Sequence, residues 1–97
     1  MSDSESENSD KKLQHDFEKA TKHAKKFANS DNHETLLFLY SHYKQATTGD
    51  CDIKEPNFWD VKGKAKYSAW KKLKGISNDK AKIKYIKKVK KMERNEK

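Results

Sequence analysis

Residues 36–50 read LLFLYSHYKQATTGD, and this stretch decides the class of fold. Asn29, Ser30, Asp31 and Asn32 stand ahead of it as helix interrupters, and Gly49 closes it. Asp31 with Glu34 three residues later has the form of a capping box, which predicts that a helix opens there. Gly49 supplies the left-handed backbone with which helices commonly end.

The same periodicity extends to both sides. Leu13, Phe17, Ala20, Ala24 and Phe27 recur at steps of four, three, four and three, one apolar stripe of an amphipathic helix over residues 11–27. On the other side the pattern fails between residues 49 and 61. Asp50, Asp52, Pro56, Asn57 and Asp60 are turn and cap formers, so this is a loop. It carries Ile53, Phe58 and Trp59, and a long ordered loop with its own apolar residues is expected to pack back on the domain and border a site. A short third helix holds KAKYSAWKKL between Gly63 and Gly75. Ser77 or Asn78 caps a fourth over residues 79–94, where Ala81, Tyr85, Val89 and Met92 make one stripe widened by Ile83 and Ile86. No internal repeat and no β-alternation of useful length interrupts this reading. The class is all-α, a bundle of four helices.

Composition limits what such a bundle is. The 97 residues support one domain, and 32% hydrophobic against 39% charged residues allow a modest core under a very polar exterior. The first ten residues hold four acids and no base, and read as a disordered, solubilising tail ahead of a domain over residues 11–95. From Lys62 to Lys91 thirteen lysines face the single acid Asp79, within a formal net charge of +8. Such a surface attracts phosphate-bearing partners: nucleic acid, anionic lipid or a nucleotide-like molecule. Cys51 is alone, so no intrachain disulfide forms and a reducing compartment is expected. The acidic, Ser-rich start is neither a signal nor a transit peptide, and no run nears the roughly 20 apolar residues that span a bilayer. A soluble, cytoplasmic protein is the expectation.

Catalytic and metal motifs find no support. His15, His23, His33 and His42 form no i, i+4 pair, and Cys51 has no partner at ligand spacing, so no metal site is expected. Asp50, Asp52 and Glu55 begin like a calcium loop, but Glu55 stands where glycine belongs and Val61 where glutamate belongs. There is no Gly-rich phosphate loop and no GxSxG.

The chemistry gathers in residues 36–50. Tyr40, Tyr43 and Lys44 share one helical face, offering two phenols and an ammonium side by side. A phenol bonds a phosphate oxygen or stacks on a purine, and lysine supplies charge. On this segment alone, tyrosines of the core with their hydroxyls at the surface and a solvated lysine explain the pattern better than a ligand site.

The longer run carries more. YSHYKQATTGD, a single proline, then D-x-KGKAKY-x-AW-x-x-L-x-G resembles the signature of the acyl-CoA-binding protein family, of the single-domain, diazepam-binding-inhibitor-like kind, across about residues 13–89. The resemblance implies an up-down-down-up four-helix bundle with a long loop between the second and third helices. It implies a non-enzymatic carrier and pool former for medium- to long-chain fatty acyl-CoA esters. No cofactor is expected, since acyl-CoA is carried cargo.

Carried over by position, Tyr40, Lys44 and Lys66 would hold the 3′-phosphate, and Tyr43 and Tyr85 would frame the adenine. Lys25 matches a further basic position. Phe17, Thr21, Leu36 and Leu37 match positions along the thioester and acyl chain. A monomer is expected, with membranes or acyl-CoA-using enzymes as transient partners and no nucleic acid. Tyr67 departs from the family, which commonly has tryptophan there, and Trp59 stands where a smaller residue is usual. Two rival readings remain from charge alone. A basic nucleic-acid-binding module suits the lysines, but Arg94 is the single arginine, and arginine is the usual base reader. The lysine-rich last helix lying on anionic lipid is the other.

Overall fold

The computed structural model describes residues 3–95, with side chains from Asp10 onward. Four α-helices follow in order: α1 Asp3–Ala24, continued by a 3₁₀ turn Lys25–Phe27, α2 His33–Thr47, α3 Val61–Lys71 and α4 Asn78–Asn95. Helix α4 packs against both α1 and α2, while α3 packs against α2 alone among these elements. The stripes read from the sequence meet in one core of Phe17, Ala20, Leu39, Ala46, Ala81, Tyr85, Ile86 and Val89, with Leu13, Ala24, Ile76 and Met92 at its margin.

The helix ends correct the expectation at three places. Helix α1 opens at Asp3 rather than near Lys11, so it runs through the acidic segment expected to be a disordered tail; Met1 and Ser2 lie outside the described residues. No glycine or proline breaks that segment, and acids suit a helix N-terminus. Helix α2 is capped by Asn32, whose side-chain oxygen accepts from the Thr35 N–H at 3.1 Å, and not by Asp31. Helix α3 starts at Val61, ahead of Gly63, because the Asp60 carboxylate accepts from the Gly63 N–H at 2.9 Å. The fourth helix follows expectation: the Lys80 N–H bonds the Ser77 hydroxyl at 3.1 Å.

A polar knot ties the end of α2 to the start of α4. The last carbonyls of a helix lack intrahelical donors. Here the Asn78 side-chain amide donates to the Gln45 and Ala46 carbonyls at 2.9 and 3.0 Å. Gln45, itself buried, donates to the Asp50 carboxylate at 2.9 Å and to the Ile76 carbonyl at 2.8 Å. The Gly75 N–H adds a second bond to Asp50 at 2.9 Å, and the two donors hold the Asp50 carboxyl below its usual range. Gly49 (φ +100°) and Gly75 (φ +90°) take the left-handed turns that let the chain approach. Trp70, 1% exposed, pins α3 by donating its indole N–H to the Gly49 carbonyl at 2.8 Å.

The α2–α3 loop differs from the sequence reading. Ile53, Phe58 and Trp59 are all exposed and do not pack back on the domain. The loop's ties are polar: Asp50 at one end, the Glu55–Lys64 ion pair at 3.3 Å, and the Asp60 N–H on the Asn57 carbonyl at 2.9 Å. Trp70 of α3 is the side chain buried there, and the loop's own apolar side chains are left outside.

His42 sits in α2 as a buried imidazole. Its Nδ1 lies 2.8 Å from the Phe38 carbonyl, the geometry of an Nδ1–H donor, and its ring stacks on Phe38 with centroids 3.9 Å apart. Burial lowers its pKa, and Lys84 adds to the effect against the opposing pull of the Phe38 carbonyl. The folded state therefore binds fewer protons than the unfolded state, and stability rises with pH across that window. Urea unfolding is expected to show stability falling as pH drops below about 6.5, and levelling once the lowered folded pKa is passed. A His42→Leu variant should flatten this slope; an unchanged slope would show that another group carries it. Losses from Asp50 and Glu93, whose pKa values are also lowered, come at more acidic pH.

Candidate functional site

Helices α1, α2 and α4 converge on one open depression of about 250 Å³. Thr21 and Ala24 come from α1, Lys25 from the following turn, Leu39, Tyr40 and Tyr43 from α2, and Tyr85 from α4. Four residues singled out in the sequence besides Lys25 and Tyr40 bear on its wall: Thr21, Tyr43, Tyr85 and Phe17. Phe17, 3% exposed, lies behind the wall, stacked on Tyr43 at 5.9 Å and edge-on to Tyr85 at 5.3 Å between centroids. Tyr43 and Tyr85 stand 6.3 Å apart. Three rings from three helices thus support one another, and side chains so packed keep their positions when a ligand arrives.

Burial reinforces the phenol form that Tyr85 already has near neutral pH. Loss of solvent, with a smaller push from Tyr43, raises its pKa to about 12. The phenol stays protonated at any physiological pH, a hydroxyl able to donate to an anion.

Two further ammonium groups, Lys44 and Lys66, lie at the α2–α3 seam outside the lining of the depression, and Lys66 reaches its wall at Tyr40. Lys66 Nζ lies 5.3 Å from the centre of the Tyr40 ring, and Lys44 Nζ lies 5.0 Å from that of Trp70. Each is held over a ring face, where the quadrupole attracts a cation without neutralising it. Among the described residues no carboxylate pairs with Lys25, Lys44 or Lys66. Positive charge therefore stays available at the rim of an apolar depression. Leu36 and Leu37 are half-buried on α2 but do not line the depression.

Two lining residues escaped the sequence reading. Ala24 belongs to the apolar α1 stripe, and Leu39 shares a helical face with Tyr43 four residues on. The spacing of Leu39 and Tyr43 was the signal available. A second cleft of about 240 Å³ lies between α1 and α4, where Ala20, Ile86 and Val89 stand beside the charged groups Asp16, Lys19, His23, Lys90 and Glu93. There Glu93 takes Lys26 at 3.0 Å and His23 at 3.1 Å.

Known proteins share both the sequence and the architecture. The family model described as "Acyl CoA binding protein" matches residues 14–89. An acyl-CoA-binding protein of Dictyostelium discoideum is 49% identical over 70 residues, covering 72% of this chain and 83% of that protein. Acyl-CoA-binding domain-containing protein 6 of Xenopus laevis is 41% identical over 87 residues; 90% of this chain is covered, which spans only 30% of that longer relative. Among solved structures, Oryza sativa acyl-CoA-binding protein 2 superposes with a TM-score of 0.82 at 36% identity, covering 87% of this chain and 93% of that one. The protein from Moniliophthora perniciosa gives 0.79 at 31%, covering 84% and 81%. The fold is the all-α bundle, up-down-down-up, that the sequence motifs implied. The chain belongs to the acyl-CoA-binding protein family.

Proposed function

We propose that this chain binds medium- to long-chain fatty acyl-CoA esters through the depression between α1, α2 and α4, and acts as a carrier and pool former without catalysing a reaction. One observation carries the reading: unpaired lysines and ring-supported tyrosine hydroxyls border an apolar hollow, an arrangement suited to a ligand with a phosphorylated head and a fatty tail. Tyr40, Lys44 and Lys66 hold the 3′-phosphate, Tyr43 and Tyr85 frame the adenine, and Lys25 adds charge at the rim. Phe17, Thr21, Leu36 and Leu37 run along the thioester and acyl chain. The binding domain spans residues 11–95, works as a cytoplasmic monomer without a cofactor, and meets membranes and acyl-CoA-using enzymes transiently.

The energetics are consistent with this. Burying about 12 methylenes at roughly 0.8 kcal/mol each yields on the order of 10 kcal/mol of gross transfer energy. Association and ordering offset several kcal/mol of that, and charge-assisted phosphate contacts add to the remainder. Submicromolar binding corresponds to more than about 8 kcal/mol net.

Calorimetry with palmitoyl-CoA, palmitate and free coenzyme A tests the reading. Palmitoyl-CoA is expected to bind at least about a hundredfold more tightly than either half, because each half forgoes one set of contacts. Equal affinity for palmitate would remove the head-group site. Binding to DNA that weakens steeply with salt, with no heat from palmitoyl-CoA, would instead favour the nucleic-acid reading.

A further inference from the structure

The α2–α3 loop presents an apolar ridge that the ligand site does not use. Phe58 is 79% exposed, Trp59 68%, Val61 74% and Ile53 47%. Phe58 and Trp59 meet edge-on with centroids 5.1 Å apart, and none of the four lines the depression between α1, α2 and α4. The ridge is also firmly mounted. Asp60 joins the loop to α3 as its cap, the Asp60 N–H returns to Asn57, and Glu55 is paired with Lys64. Large aromatic rings held out in water on an anchored loop are the surface feature that marks an interaction site.

We propose that this ridge docks the protein on anionic phospholipid bilayers. Charge decides the partner. Glu55 and Asp60 are occupied by Lys64 and by the Gly63 N–H, and the exposed Asp52 is outnumbered by the exposed Lys54 and Lys62, which flank the rings. Beyond them the chain to Lys91 carries twelve more lysines and one acid. Tryptophan and phenylalanine favour the boundary between head groups and acyl chains, and lysines beside them favour anionic head groups. Docking places the first turn of α3 at the lipid surface, within two turns of Lys66, whose Nζ lies over the Tyr40 ring.

The test uses the ligand-free full chain, so its outcome is separate from that of acyl-CoA binding. Vesicles of phosphatidylcholine with about one-third phosphatidylserine are compared with pure phosphatidylcholine. Trp59 reports directly, because the other tryptophan, Trp70, is buried and bonded to Gly49. Brominated lipid is expected to quench Trp59 fluorescence in the mixed vesicles and not in the pure ones. Phe58→Ser with Trp59→Ser should lower the vesicle partition coefficient by at least about tenfold while palmitoyl-CoA affinity and circular dichroism stay unchanged. Absence of quenching, or vesicle binding by the double variant equal to that of the native chain, would overturn the proposal and leave attachment to the lysines alone. A double variant that loses palmitoyl-CoA affinity but keeps its vesicle binding would also overturn it, by making the ridge a cover for the ligand. So would loss of self-association in sedimentation with vesicle binding intact, which would make the occupant a second copy of the chain.

Discussion

Replacing Lys44 and Lys66 together by alanine is expected to weaken palmitoyl-CoA binding by about a hundredfold or more. Hydrogen bonds to charged groups are worth about 1.5–3 kcal/mol each, and the lower half of that range applies at a partly solvated rim. Two such losses come to about 3 kcal/mol, or about two decades in affinity. Lys44 also rests over the Trp70 ring, so its removal takes away a contact of about 0.5–1 kcal/mol from the α2–α3 seam. Circular dichroism and a urea titration on the same variant separate this small loss of stability from the loss of binding. Tyr40→Phe should give a milder defect of about 1 kcal/mol, since one neutral hydroxyl is removed and the ring that supports Lys66 remains. Full affinity in the double lysine variant would show that the phosphate lies elsewhere.

The largest effect on stability is expected at Trp70. It is the sole buried residue of α3, and α3 rests on α2 alone among the helices. Trp70→Ala removes the whole ring and leaves a cavity, with an expected loss of about 3–5 kcal/mol in urea unfolding. Domains of this size have total stabilities of about 5–15 kcal/mol, so the loss takes a large share. Because Lys66 rides on α3, loosening that helix should also blur the rim of the ligand site. Trp70→Phe restores most of the volume but leaves the Gly49 carbonyl without its donor, an expected cost of about 1–3 kcal/mol. A Trp70→Ala protein that unfolded within about 1 kcal/mol of the native chain would mean that α3 is held by the polar knot rather than by its tryptophan.

The polar knot changes the meaning of part of the sequence signature. In YKQATTGD the first two residues point to ligand chemistry, but Gln45, Gly49 and Asp50 are spent on architecture. Gln45 lies three residues from His42 and one from Lys44, and nothing in its spacing separates a buried tie from a solvated amide. The separation exists only because Ile76, Gly75 and Asn78 arrive from the far side of α3. Asn78, a cap candidate from the sequence, uses its side chain on the carbonyls of another helix instead.

The loop aromatics show the opposite error. A mean tendency of apolar loop residues to find cover placed Ile53, Phe58 and Trp59 on the domain, whereas the backbone of this loop is secured by carboxylates and N–H groups that keep it at the rim. The start of α1 at Asp3 has a related cause. Charge-rich composition at residues 3–10 signalled disorder, yet nothing there prevents α1 from extending once its apolar stripe is packed on α4.

Periodicity, charge and short motifs were enough to define four helices, the apolar faces they bury, and the pairing of Tyr40 with Tyr43 on one of those faces, since neighbours three or four apart on a helix are set by local geometry. Which groups from separate helices share a wall was settled by packing alone. Lys66 reaching Tyr40, Phe17 buttressing Tyr43 and Tyr85, the raised pKa of Tyr85 and the outward ridge at Phe58 and Trp59 all depend on how much solvent and how many neighbours the assembled bundle leaves each side chain. Burial and long-range contact are properties of the whole fold, and no local stretch of sequence carries them.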